Sequence, residues 1–181
     1  SGTDRIAFVA REHPEVDIWI NVQGDEPEID PNAIDAVAAA ILSDTTVDLS
    51  TAGTPIRRLE VLDDPSIVKI VSSTLSAEQG RAVYFSRSRV PHDRDGDASK
   101  WLSADPPVYW HHLGLYGYRR SFLGWFEAAP PSTLERIEKL EQLRAIEAGK
   151  RVVFAHVESA FPGIDTEEDL RAFEERVTPS R

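Results

Sequence analysis

An apolar run that ends abruptly in carboxylates constrains this chain more than any other stretch: Ile18-Trp19-Ile20-Asn21-Val22-Gln23-Gly24-Asp25-Glu26-Pro27. A run this short, rich in β-branched residues and bounded by Gly and Pro, predicts a buried parallel strand opening into a loop. Ligands of open α/β sheets gather beyond the carboxyl ends of the strands, so Gln23, Asp25 and Glu26 stand where a ligand would. Hard oxygen donors there suit Mg²⁺ and a phosphorylated substrate. The same residues also fit a solvated turn in which Asp25 bonds only backbone, and the rest of the chain must discriminate.

Around that stretch the chain reads as one α/β domain over residues 1–181. Ser1 to His13 carries Ile6, Val9 and Ala10 at helical spacing, and Val16 to Val22 is the strand. Asp30-Pro31 is a helix cap with Pro at the first helical position, followed by the stripe Ile34, Val37, Ala38, Ile41 and Leu42. Val47 to Ile56 is strand-like, and Ile67 to Val71 with Arg81 to Arg87 predicts an antiparallel hairpin, part of a small side or dimerisation lobe at about 57–110. The polar segments Pro91 to Trp101 and Ala104 to Pro107 predict a mobile loop. Leu113 to Tyr118 is a strand, and Leu123 to Phe126 begins a short helix ended by Pro130-Pro131. Ser132-Thr133-Leu134-Glu135 is a capping box opening one helix to Gly149. Arg151 to Val157 is the last strand and Asp165 to Val177 the last helix.

The formal net charge of −11 argues against nucleic-acid polymers and anionic membranes, which need a clustered basic footprint. With no cysteine, disulfides and thiolate metal sites are excluded, which fits a cytoplasmic setting. No apolar run reaches the length of a membrane span. The chain opens on Ser1-Gly2-Thr3-Asp4-Arg5 without Met, as a segment of a longer protein would.

Candidate chemistry lies on four elements. At about 100° per residue, Leu134, Ile137, Glu141, Ala145 and Ala148 share one helix face, so Glu141 falls within an apolar stripe and needs a partner. Gln142 beside it suits a polyhydroxylated ligand. His111 and His112 point to opposite faces of a strand, which disfavours a two-His metal site, while His112, Gly114 and Tyr116 share a face. Arg87 ends its strand where a carboxylate or phosphate could be received, or where arginine is simply solvated. Asp165 fits a helix cap completed by Glu168, and a capping Asp can still offer an oxygen to a metal.

Asn21 to Pro27 resembles the sugar cytidylyltransferases that activate Kdo (3-deoxy-manno-octulosonate). Further motifs keep the family's order: Ser1 to Arg5; Tyr84 to Arg87 with Pro91 to Asp95; His112 to Arg119; Leu134 to Arg144; and Gly163 to Leu170. The resemblance implies a three-layer fold of the nucleotide-diphospho-sugar-transferase type, Rossmann-like, with a mixed sheet. It implies transfer of CMP from CTP to the anomeric hydroxyl of Kdo, for lipopolysaccharide, by a homodimer. It also implies Mg²⁺ on Asp25 and Asp165, as the catalytic pair, and Gln23, Arg87, His112, Tyr116, Glu141 and Gln142 lining the sugar-acid pocket. The family's opening strand and basic loop, which cradle the triphosphate, have no match here, so the resemblance implies a chain that starts after them. A non-catalytic sugar-acid-binding or dimerising fragment, and a cytidylyltransferase for a related acidic sugar, remain alternatives.

Overall fold

The computed structural model describes residues 2–160, 163–164 and 166–177. In chain order these form α1 (Gly2–Glu12), β1 (Ile18–Asn21), α2 (Pro31–Leu42), β2 (Leu49–Pro55), α3 (Leu59–Asp63), β3 (Lys69–Thr74), β4 (Gln79–Ser86), α4 (Ser99–Leu102), β5 (Trp110–Arg119), α5 (Arg120–Ala128), α6 (Thr133–Glu138), α7 (Gln142–Glu147), β6 (Val152–His156) and α8 (Glu167–Val177). No helix among them is long and apolar enough to cross a membrane.

Side-chain alternation explains the layers. In β6, Val152 and Phe154 join a core with Ala7 and Ala10 of α1, Phe122 and Phe126 of α5, and Leu143 and Ala145 of α7. Val153 and Ala155 point the other way, into a second core with Ala33, Val37, Ala40 and Ile41 of α2. A strand buried on both faces needs helices on both sides, hence three layers.

The described strands make one six-stranded mixed sheet in the order β1-β5-β2-β6-β4-β3, with β5 also touching β3. β2 and β6 run parallel. The ten-residue β5 is the spine, pairing antiparallel with β1, β2 and β3.

β1 departs from the sequence expectation. It pairs antiparallel, Ile18 opposite Arg119 and Asn21 opposite Tyr116, at the end of the described sheet order. Trp19 packs on the first core while Ile18 and Ile20 pack on the second. Cover on both faces makes an apolar run whichever way the neighbouring strand points, so burial was legible and direction was not.

The helix expected from Ser132 to Gly149 is two helices. The capping box forms as expected, with Ser132 Oγ accepting from Glu135 N at 3.3 Å and Glu135 Oε2 from Ser132 N at 3.0 Å. α6 then stops at Lys139, which is left-handed with φ 58°. The break turns Ile137 outward, 71% exposed, and sends Leu140 and Leu143 inward. Gly149, with φ +70°, ends the pair as anticipated.

The β3–β4 hairpin is not a separate layer but continues the sheet through β5 and β6. Beside it Ile56, Leu62, Ala98, Leu102 and Tyr109 pack a small third core. That core fastens the loop expected to be mobile: Ala98 and Leu102 are buried, and Arg57 Nη1 donates to the Leu102 and Ala104 carbonyls at 2.9 and 2.8 Å. At α8 the described cap is Thr166, whose Oγ1 accepts from Asp169 N at 3.1 Å while Asp169 Oδ2 accepts from Thr166 N at 2.9 Å.

Candidate functional site

A cavity of about 250 Å³ opens where β1 ends, bounded by α1, β5 and the break between α6 and α7. Gln23, His112, Tyr116, Glu141 and Gln142 all line it. Shared strand face brings His112 and Tyr116 together, ring centroids 5.5 Å apart. Glu141 and Gln142 arrive for a reason other than the expected stripe. The left-handed Lys139 redirects the chain so that α7 begins facing β5.

The polar atoms of this wall are only partly satisfied. Tyr116 Oη donates to Gln142 Oε1 at 3.4 Å, a long bond, and Gln142 Nε2 is buried without a hydrogen-bond partner. A buried donor left unmade costs about 1–3 kcal/mol, which a ligand acceptor would recover. Glu141 Oε2 accepts from Thr3 Oγ1 at 3.0 Å, and the Thr3 hydroxyl also meets Tyr118 Oη at 3.1 Å. Thus Thr3 holds the Glu141 carboxylate in place.

Burial dominates the electrostatics. It pushes His112 down to about 3, with His111 adding to the shift, so the imidazole is neutral. It raises Tyr116 well above the usual phenol value, helped by Tyr118, Glu141 and Glu26, and pushes Tyr118 up to about 12. The β5 side of the wall therefore presents neutral donors and acceptors, facing the Glu141 carboxylate.

Arg87, which the resemblance places in the sugar-acid pocket, is not among the residues that line this cavity. Its Nε donates to Glu138 O at 3.0 Å and its Nη1 to Pro65 O at 3.2 Å. Its backbone N–H and the Ser86 hydroxyl donate to the two Glu138 carboxylate oxygens at 3.0 and 2.6 Å. Arg87 thus ties the end of β4 to the last turn of α6, directly before the break that shapes the cavity. The guanidinium satisfied fixed carbonyls because β4 delivers it there.

Arg5 and Lys139, which sequence reasoning missed, line the cavity instead. Arg5 lay in a quoted motif, but Lys139 carries no local signal, since only the helix break brings it to the wall. Asn21 and Thr3 join them.

At the strand end the Asp25 carboxylate is exposed, and the Asp25 carbonyl accepts from Ile164 N at 2.7 Å. This bond brings the segment before Asp165 against the loop. Asp165 itself lies outside the described residues. Glu26 reaches back over β5, where a Cβ on Gly114 would lie 3.3 Å from its Oε1, so only glycine leaves that approach unforced. Among the described residues no group of three His, Cys, Asp or Glu side chains could hold a metal ion. The exposed Asp25 carboxylate is a hard oxygen donor of the kind Mg²⁺ takes alongside water and phosphate oxygens.

Known proteins resemble this chain in sequence and in fold. The family model described as cytidylyltransferase matches residues 1–152. The 3-deoxy-manno-octulosonate cytidylyltransferase of Rhodopirellula baltica is 56% identical over 98% of this chain and 69% of its own length. That of Syntrophotalea carbinolica is 41% identical over 94% of this chain and 66% of its own length. The solved CMP:2-keto-3-deoxy-manno-octonic acid synthetase complexed with CTP superposes with a TM-score of 0.82 at 35% identity, covering 98% of this chain and 69% of that one. UDP-glucose pyrophosphorylase, at 10% identity and TM-score 0.59, shares the fold alone. The chain thus spans about two thirds of the length of the curated relatives it matches. With the family model matched over residues 1–152 and a curated relative 56% identical over 98% of the chain, the chain belongs to the cytidylyltransferase family.

Proposed function

We propose that this chain supplies the sugar-acid side of a site that transfers CMP from CTP to the anomeric hydroxyl of Kdo, giving CMP-Kdo and pyrophosphate, with CMP-Kdo destined for lipopolysaccharide. The observation that carries this reading is the convergence of Gln23, His112, Tyr116, Glu141 and Gln142 on one cavity where the buried Gln142 amide nitrogen has no hydrogen-bond partner. The Gln23 and Gln142 amides donate to sugar hydroxyls, and Glu141, steadied by Thr3, accepts from another. Arg5 and Lys139 offset the sugar carboxylate, the task expected of Arg87. Asp25, with Asp165, would hold Mg²⁺ on the nucleotide phosphates. When bound, the ion offsets phosphate charge. The anomeric oxygen displaces pyrophosphate at the α-phosphorus, a reaction that asks the protein chiefly for binding, alignment and charge.

A homodimer and a cytoplasmic setting belong to the same proposal. Leu75 and Val83 on the β3–β4 hairpin are 46% and 50% exposed, which gives apolar area for a second copy, and CTP is a cytoplasmic nucleotide.

Titration of Kdo and of CTP into the chain, with pyrophosphate release measured in Mg²⁺, tests the reading. Kdo should bind, and Glu141→Ala should weaken it. CTP binding without Kdo binding rejects the cavity assignment. Pyrophosphate release should be lost in Asp25→Ala, and unchanged turnover would remove Asp25 as a metal ligand.

A further inference from the structure

The ladder between β2 and β5 slips at Thr51. Thr51 pairs with Tyr116 and Ala52 with Leu113, so Gly114 and Leu115 bulge from β5 with no opposite residue. The buried Thr51 hydroxyl covers the bulge, with Oγ1 2.8 Å from the Leu115 carbonyl oxygen and 3.0 Å from that of Leu113. Its third partner is His112 Nε2 at 3.0 Å.

Proton counting then decides the imidazole. A hydroxyl has one proton to give and two lone pairs with which to accept. The two carbonyl oxygens can only accept, so a bare Nε2 would set three acceptors around the single Thr51 proton, whereas Nε2–H lets that proton go to the bulge and the Thr51 oxygen accept. The arrangement therefore favours the ring hydrogen on Nε2. Burial keeps the ring neutral, with its pKa down to about 3. A neutral imidazole protonated on one nitrogen bears a lone pair on the other. Among the described residues Nδ1 makes no hydrogen bond, while His112 lines the cavity.

We propose that Thr51 is a positioning residue that fixes His112 as the Nε2–H tautomer, so that Nδ1 accepts a hydrogen bond from a hydroxyl of the sugar acid and turns its carboxylate away. The ligand class rests on the functional reading above, whereas the tautomer does not. A carboxylate has no proton to offer Nδ1, so the sugar must enter with its carboxylate toward Arg5 and Lys139.

Long-range proton–nitrogen correlation spectra of the chain labelled with ¹⁵N-histidine read the tautomer directly. The expected result near pH 7 is a proton-bearing Nε2 and a pyridine-like Nδ1 for His112. A proton on Nδ1 overturns the proposal, and this holds even should a Thr51 variant fail to fold. Thr51→Val should mix the tautomers and raise the dissociation constant for Kdo about tenfold. Thr51→Ser should restore both. Among singly deoxygenated sugar acids, one should bind wild type and Thr51→Val equally, since it lacks the donor. If every analogue keeps the Thr51→Val penalty, Thr51 is only structural. If no sugar acid binds while the wild-type spectrum shows Nε2–H, the proposed function fails and the tautomer assignment stands.

Discussion

Two carboxylates one helical break apart, Glu135 and Glu141, sit in opposite circumstances. Glu135 accepts from Arg144 Nε and Nη2 at 2.7 and 2.6 Å and from Ser132 N at 3.0 Å. Arg144 spends Nη1 on the Phe126 and Ala129 carbonyls and lies 3.8 Å over the Phe126 ring. Burial pushes the Glu135 pKa up, but the Arg144 bonds outweigh it and hold the carboxyl below its usual range. Among the described residues Glu141 accepts one bond, from Thr3, and its neighbour Gln142 leaves a buried nitrogen open. A polar cluster whose bonds are closed holds the fold; one left open toward a cavity awaits a ligand.

The largest effect should come from breaking the closed cluster. Arg144→Met leaves Glu135 charged, buried and unpaired, and should cost about 3–5 kcal/mol in urea denaturation. A loss under about 1 kcal/mol would dissolve the contrast.

Acid should act next. Burial, and then Lys69, pushes His111 down to about 4, and burial, then His111, pushes His112 down to about 3. Both values lie below the ordinary 6.5, so the unfolded chain takes up protons first. The stability these rings contribute is full above about pH 6.5 and falls as pH drops toward their folded values, by on the order of 2 kcal/mol per histidine near pH 5. Depressed Glu135 adds its loss only at lower pH, as pH falls through its folded value. Denaturation midpoints at about pH 7.5 and 5 measure this; His111→Gln should shrink the difference, and an unshrunk one would assign it elsewhere.

The open cluster should respond in affinity instead. Gln142→Leu is expected to keep stability within about 1 kcal/mol while weakening Kdo about tenfold by calorimetry. A stability loss like that of Arg144→Met would make Gln142 structural. The smallest effect belongs to the rim, where Lys139→Met should weaken Kdo by about threefold and lose that difference in high salt. A salt-independent effect would deny Lys139 its charge role.

Sequence and structure divide along the same line. The Ser132–Glu135 capping box, the Asp30 cap accepting from Asn32 N at 2.9 Å and the alternation of β6 were all legible, because each is settled within a few residues. So was the gathering of His112 with Tyr116, which alternation dictates, and of Gln23 at the end of β1. Glu141 was found by a faulty route: Ile137 of its supposed stripe is exposed, but the carboxylate did need a partner.

What the sequence by itself determined was the local set: which runs become strands and helices, where they are capped, and that polar residues stand at the end of β1. Only the tertiary structure decided that β1 pairs antiparallel, that the helix breaks at Lys139, that Arg87 serves Glu138 and Pro65, and which Thr51 partner receives its proton. Each of these depends on donors and acceptors brought together from distant positions, such as Thr3 with Glu141 or Thr51 with His112. Local propensity carries no information about partners that only folding supplies.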